Sequence, residues 1–235
     1  MFNRITFFAA AILLANCCLA QDKETTEIKR KLSDKVTEIF TVPKTDINMR
    51  QGPYKALYKR KVEVASGNFD KDKPVGLWKF SDPKGNVLQT YDYTKSKLYY
   101  EAPEDTTSNF RYFVDRELKP GDKITKPVKI GGRYIGFLPY LNLFTLPDGY
   151  KEIDRELVTA VVELLVSPLG RLAGYKVSLL SNISGVAFKT VNMNIKLPNP
   201  ADIIFTPSTL NGEPIACRIM IKCYPTANLH LDFER

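Results

Sequence analysis

Four short segments between residues 59 and 101 alternate hydrophobic and polar side chains with a period of two, which is typical of β-strands. They read KVEVASGNF, GLWKFSD, NVLQTYDY and KLYYE, and aromatic residues recur in them. The intervening residues 70–74, 83–86 and 94–96 are rich in Pro, Gly, Asn, Asp, Lys and Ser, a composition that favours tight turns. The pattern predicts a meander of antiparallel hairpins, to which residues 110–118 would add one more strand.

Hydrophobic spacings of three and four residues predict helices in other parts of the chain. One helix is predicted over residues 22–40, ended by Pro43, with a linker following to residue 55. Two further helices are predicted over residues 128–146 and 186–197. The hydrophobic positions of the first are Ile28, Leu32, Val36, Ile39 and Phe40.

The most regular pattern in the second half is RELVTAVVELLV, which puts five apolar side chains of residues 158–166 on one strand face. Ser-Pro-Leu-Gly then predicts a turn, RLAGYKVSLL a returning strand, and GEPIACRIMIKC a third strand. From residue 130 the predicted order is helix, strand, strand, helix, strand. We therefore expect an α+β protein, with an N-terminal antiparallel β-meander and a small C-terminal antiparallel sheet carrying two helices on one face.

The first twenty residues have the composition of an export signal. Arg4 precedes an apolar run, and Cys18-Leu19-Ala20 fits a small-residue cleavage site before Gln21. The apolar run is too short for a membrane-spanning helix, which needs about 20 residues. We expect a periplasmic or secreted protein cleaved near Ala20. The alternative is a lipoprotein anchored through Cys17, and weak membrane association would follow from lipidation alone.

Signal cleavage would leave two cysteines, Cys217 and Cys223, on one face of the same predicted strand. Six residues of strand separate their Cα atoms by roughly 20 Å, whereas a disulfide needs about 7 Å or less. We expect both to be buried as small hydrophobic side chains. The net charge of +8 is spread among acidic residues, and a nucleic-acid-binding surface would be more clustered.

Catalytic residue patterns are missing from the chain. The single histidine, His230, lies near the C-terminus, and a zinc site needs three or four clustered ligands. Gly131-Gly132 lacks the residues of a phosphate-binding loop, and the neighbouring acids Glu104-Asp105 belong to a predicted loop. We expect a non-enzymatic protein without cofactor or metal.

The run GNFDKDKPVGLWKFSDPKGNVLQTYDY resembles the MORN-variant repeats of bacterial envelope proteins, in which Gly-x-Phe and Gly-x-Trp-x-Phe recur in each hairpin. About one and a half repeats lie between residues 62 and 100. The resemblance implies that aromatic side chains pack hairpin against hairpin.

The second half is similar to the C-terminal domain of TonB-type energy transducers, over residues 127–224. The matching features are Ile130-Gly131-Gly132, the hairpin VVELLVSPLGRLAGYKV, and Leu210-Asn211-Gly212-Glu213-Pro214 before the last strand. Leu146-Pro147 stands where the family has Tyr-Pro. The membrane anchor and Pro-rich spacer of the family's transducers are replaced by a signal sequence and the meander.

The residue patterns and the two resemblances together predict four segments: a signal peptide (1–20), a helix and linker (21–55), a MORN-like meander (56–120) and a TonB-like domain (127–235). In the TonB-like family, the domain binds an extended segment of an outer-membrane receptor by strand addition. That function, linked to outer-membrane transport, would involve Arg218, Met220 and Lys222 on the last strand. The alternative is a scaffolding envelope protein that uses the meander as its interaction surface. A homodimer is a further open alternative.

Overall fold

The computed structural model describes residues 24–104 and 107–234, and it consists mainly of antiparallel β-structure. The predicted signal peptide, with Cys17 and Ala20, lies outside the described residues, as does Asp105. The strands of the described residues are β1 (Thr25–Lys31), β2 (Val36–Pro43), β3 (Gly52–Tyr58), β4 (Val62–Asp70), β5 (Lys73–Ser81), β6 (Val87–Asp92), β7 (Lys97–Glu101), β8 (Phe110–Phe113), β9 (Val158–Val166), β10 (Leu172–Ser181), β11 (Ala187–Asn192), β12 (Ser208–Leu210), β13 (Glu213–Ile215), β14 (Cys217–Pro225) and β15 (Leu231–Asp232). The helices are α1 (Gly132–Ile135) and α2 (Leu138–Leu143), with 3-10 turns at Asp148–Tyr150, Arg155–Leu157 and Pro200–Ile203.

Strands β1 to β7 form one seven-stranded sheet in which every strand pairs with its neighbours in sequence. The four strands predicted between residues 59 and 101 are confirmed as β4 to β7. Side chains along a strand point alternately to its two faces, and this alternation determines which residues are buried. Along β2, Val36, Phe40 and Val42 point into the core. At the β4–β5 turn, Lys71 and Asp72 have φ of 48° and 65°, the backbone that two-residue hairpin turns require.

The helix predicted over residues 22–40 is wrong, because the described part of this segment, residues 24–40, belongs to the β1–β2 hairpin. Hydrophobic residues four apart share a face both in a helix and in a strand, so the spacing does not distinguish the two structures. The turn between the strands is stabilised by Ser33, whose Oγ accepts hydrogen bonds from the N–H groups of Lys35 (3.3 Å) and Val36 (3.1 Å). The meander therefore starts at Thr25, within the segment predicted as helix and linker.

The second sheet has the order β11-β10-β9-β14, and β14 also pairs with β8 and with β15. The predicted hairpin of residues 158–181 is confirmed as β9 and β10, with Val162 opposite Val177. Strand β14 lies beside β9, with Ile221 opposite Val162. On its other side β14 pairs with β8, which precedes it by more than a hundred residues.

The predicted α+β fold with two helices on one face of the C-terminal sheet is wrong, since 49% of the described residues are in strands and 10% are helical. The helix expected at 186–197 is replaced by β11, which pairs with β10 from Lys176↔Asn192 to Leu180↔Ala187. Thr and Val in this segment are β-branched and favour a strand over a helix. Within 128–146 the helical structure is limited to α1 and α2.

The core lies between the two sheets, with the segment of α1 and α2 packed in the middle. Aromatic rings of the meander, of the second sheet and of the segment between them are in contact. Between ring centroids, Tyr58 of β3 lies 6.0 Å from Tyr134, and Phe110 of β8 lies 4.9 Å from Phe137. One continuous set of buried hydrophobic side chains extends from Val36 to Phe233. The two sheets therefore share a single core.

Gln89 of β6 connects the meander to the segment before α1, and its side chain is completely buried. Its Nε2 donates to Glu101 Oε2 (2.7 Å) and to the carbonyl of Lys129 (3.0 Å). Its Oε1 accepts from the N–H groups of Gly131 (2.8 Å) and Gly132 (3.1 Å). Both glycines have positive φ, of 111° and 65°, which residues with a Cβ rarely adopt. The backbone conformation that aims the two N–H groups at Gln89 Oε1 therefore depends on the Gly-Gly pair.

Candidate interaction surfaces

The residues predicted to bind a peptide, Arg218, Met220 and Lys222, lie on β14, and β14 has strand partners on both sides. Strand β9 pairs along 217–223 and β8 pairs along 218–221. A foreign strand would have to displace β8 before it paired with Arg218 or Met220. The edge on which the prediction depended is therefore filled by the chain itself along these residues.

The side chain of Arg218 takes part in a charged row across the solvent face of the second sheet. Its Nε lies 3.1 Å from Glu163 of β9, and its Nη2 lies 3.0 Å from Asp115 after β8. Glu163 in turn lies 3.1 Å from Lys176 of β10. These partly exposed pairs each contribute little to stability, because water screens them. They satisfy the charge of Arg218 without a ligand.

The two cysteines are free and buried, as predicted. Burial raises the pKa of both thiols, so they remain protonated and weakly nucleophilic at neutral pH. His230 is held by the carbonyl of Phe144, 2.8 Å from its Nδ1. No three His, Cys, Asp or Glu side chains in the described part of the chain gather in a way that would hold a metal ion. Within the same residues, none of the helices has the length and apolar composition needed to cross a membrane.

A groove of about 450 Å³ lies between the meander and the segment of α1 and α2. One wall is aromatic, but Trp78 is only 4% exposed because neighbouring rings cover it. Both arginines that line the groove are paired: Arg30 Nε lies 2.5 Å from Glu38, and Arg50 Nε lies 3.5 Å from Asp72. The groove therefore offers a ligand neither an open ring face nor an unpaired arginine.

A buried lysine beside this groove serves the structure. Lys129 Nζ donates to the carbonyls of Ala201 (2.7 Å) and Ile204 (3.3 Å), and it lies 3.9 Å from Asp202. Burial lowers its pKa to about 8, while the nearby Asp202 carboxylate opposes that change. The ammonium group thereby satisfies carbonyls at the end of a 3-10 turn.

The two outer strands of the meander differ in composition. Strand β1 carries Glu27, Lys29, Arg30 and Lys31, and charged side chains on an edge discourage further pairing. Strand β7, Lys-Leu-Tyr-Tyr-Glu, pairs with β6 on one side, and no described strand pairs with its other side. Its apolar side chains are exposed: Leu98 by 36%, Tyr99 by 49% and Tyr100 by 45%.

Sequence reasoning identified β7 as a strand but missed that it is an edge. The available signal was Pro103, which follows closely after the strand and removes one backbone donor from any continuation of the meander. Compared with known proteins, the chain matches no family model, no curated protein and no solved structure.

Proposed function

We propose that this chain is a non-enzymatic binding protein of the cell envelope, and that the meander is its interaction surface. An extended segment of a protein partner would pair with the outer edge of β7. The observation that carries the proposal is the exposed row Leu98, Tyr99 and Tyr100 on a strand whose outer side pairs with no strand of the described residues. The envelope location depends on the predicted signal peptide.

Strand addition at β7 uses two kinds of interaction. The unpaired backbone groups of the edge supply affinity, because each hydrogen bond to the partner completes the ladder of the sheet. Alternate side chains supply selectivity, since those of a strand point to opposite faces. Tyrosine suits this role, because its ring contributes apolar area and its hydroxyl group remains hydrated.

The other edges fit this function less well. Strand β1 is protected by its charges. Strand β11, one of the outer strands of the second sheet, has one large exposed aromatic residue, Phe188, whose ring lies 5.6 Å from Tyr150 of the same chain. Strand β14 is already paired on both sides along 218–221. The bare aromatic edge is therefore the best-supported docking position.

The test selects extended nine-residue peptides from a displayed library on the purified protein and maps their site by amide hydrogen exchange. We expect the amides of residues 97–101 to gain protection when peptide binds. The double variant Leu98→Lys, Tyr100→Lys removes two apolar contacts and adds edge charge, so affinity should fall at least about tenfold.

The matched control is Leu157→Lys with Leu169→Lys, two leucines that are 45% and 85% exposed and lie away from the meander. This variant should bind the selected peptides as the parent does. Failure to select any peptide, or protection confined to β8 or β11, would contradict the proposal. Equal loss of binding in both double variants would do the same.

A further inference from the structure

A concave pocket of about 290 Å³ opens beside β8, which follows β7 along the chain but belongs to the second sheet. The chain leaves β8, turns through residues 114–118 and returns past the pocket at residues 124–126. We call this the β8 pocket, lined by Tyr112, Phe113, Val114, Arg116, Leu118, Ile124, Thr125, Lys126 and Cys217.

The pocket gathers three large apolar side chains that are each about half exposed: Phe113 by 48%, Leu118 by 47% and Ile124 by 44%. Exposed apolar groups that meet in one concavity are unusual, because single scattered ones are the rule on soluble proteins. Cys217 adds a neutral thiol, since burial raises its pKa. The wall is therefore suited to a hydrocarbon.

The charged groups that line the pocket are both cationic, Arg116 and Lys126. Lys126 is already paired, 3.0 Å from Glu104 and 3.8 Å from Glu101. Arg116 has no carboxylate within ion-pair distance among the described residues, although its charge helps to lower the pKa of the nearby, fully exposed Asp122. An apolar cleft with one guanidinium outside any close ion pair complements a ligand that has an apolar body and an anionic end.

The geometry points to a binding site for a free fatty acid, a single acyl chain whose carboxylate lies at Arg116. The chain would cover Phe113, Leu118 and Ile124. The volume is at the lower end of the range for small-molecule sites, about 300–1,000 Å³, which suits one chain and is too small for the two chains of a phospholipid. This site is distinct from the β7 edge, because it lies beside a strand of the other sheet, although the pocket-lining Lys126 lies 3.8 Å from Glu101 at the end of β7.

The first experiment titrates the purified protein with saturated fatty acids of increasing chain length and with their methyl esters, by displacement of a fluorescent fatty acid. Each buried methylene should raise affinity by about fourfold until the pocket is filled, after which affinity should level off. The methyl esters should bind about tenfold more weakly, because they lose the charge-assisted contact to Arg116.

Substitutions then assign the two ends of the ligand. Arg116→Gln should lower the affinity for the fatty acids to that for the methyl esters, and it should leave the affinity for the esters unchanged. The control Arg171→Gln, at another exposed arginine, should change neither affinity. Leu118→Glu should abolish binding. Leu157→Glu, at a leucine of nearly equal exposure (45% against 47%), should not.

Three results would overturn the proposal. Affinity independent of chain length would show adventitious adsorption, and acids and esters of equal affinity would exclude the role of Arg116. Binding to phospholipid vesicles without binding to free acids would assign the surface to a membrane contact instead. Because Arg116 is exposed, its variant tests the site even if Leu118→Glu fails to fold.

Discussion

The two sheets fill their buried faces with different chemistry. On the meander the core is aromatic: Trp78 lies 5.1 Å from Tyr54, 5.2 Å from Phe69 and 5.6 Å from Tyr93 between ring centroids. On the second sheet it is aliphatic, as in Val162, Leu164, Ile219 and Ile221. Aromatic rings pack in preferred orientations and fill large, specific volumes. Branched aliphatic side chains interdigitate in more ways.

The sheets also differ in how local their pairing is. Every strand pair of the meander joins neighbours in sequence, while β14 is completed by β8 and β9 from distant parts of the chain. The meander therefore depends on a few demanding contacts, and the second sheet on many interchangeable ones. Substitutions at those few contacts should cost more than comparable changes in the second sheet.

The largest effect is expected where the two sheets are joined, at Gln89. Gln89→Leu keeps the approximate volume but leaves the N–H groups of Gly131 and Gly132 and the carbonyl of Lys129 without this partner. Each buried polar group left unsatisfied costs about 1–3 kcal/mol. The free energy of unfolding, measured with urea, should fall by about 4 kcal/mol.

The control for Gln89 is its neighbour on the opposite face of β6, Thr90→Val, which should change stability by less than about 0.5 kcal/mol. Because the two sheets share one core, the parent protein should unfold in one transition by both fluorescence and circular dichroism. Two separate transitions in the parent, or a loss under about 1 kcal/mol for Gln89→Leu, would contradict the inferred connection.

A pair of glycines directly tests the contrast between the aromatic side of the shared core and its aliphatic side. Gly67 of β4 and Gly174 of β10 each lie at a register shift in a strand. A Cβ on Gly67 would lie 2.2 Å from the indole ring of Trp78, while one on Gly174 would lie 3.3 Å from Cβ of Leu165. Gly67→Ala should destabilise the protein by about 3 kcal/mol, since the ring must move within a packed core. Gly174→Ala should cost less than about 1 kcal/mol.

Thermal and urea unfolding of the two glycine variants provide the measurement. Tryptophan fluorescence adds a specific readout, because the chain has one tryptophan and its environment changes in Gly67→Ala alone. Equal costs at the two glycines would mean that the aromatic core yields as easily as the aliphatic one. The comparison between the sheets would then fail.

The sequence predicted the meander well where turn residues marked its borders. Pro83 and Gly85 delimit β5 from β6, and alternation sets the faces of both strands. It failed over residues 22–40, where Ile28, Leu32 and Val36 are spaced by four and fit either structure. The β-branched residues of that segment, three Thr, two Ile and one Val, were the better guide, since such residues favour strands.

The site was less predictable than the elements, because edges are decided by long-range pairing. Nothing near Arg218 in the sequence indicates that residues 110–113 will cover its strand. Local pattern identifies a strand but not its neighbours, and the neighbours determine which backbone groups are free. Gln89 did carry a signal: a polar side chain on a predicted aromatic face must find buried partners.

The smallest predicted effect concerns alkaline pH, which acts on the meander through its ionisable rings. Burial raises the pKa of Tyr93 to about 12, with a smaller contribution from the nearby Tyr91. Between the unfolded-state pKa of about 10 and this value, the folded protein keeps a proton that the unfolded chain has lost. Stability that is fully present below pH 10 should therefore decline as the pH rises through this interval.

Tyr93→Phe removes this contribution and retains the ring that packs 5.6 Å from Trp78. Between pH 9 and pH 11 the variant should lose about 1 kcal/mol less stability than the parent, measured by urea unfolding at each pH. Tyr99→Phe, at an exposed ring of the β7 edge, is the control and should follow the parent. If both variants follow the parent, the Tyr93 hydroxyl is not desolvated in the folded state, and the aromatic core is more open to water than the aliphatic one.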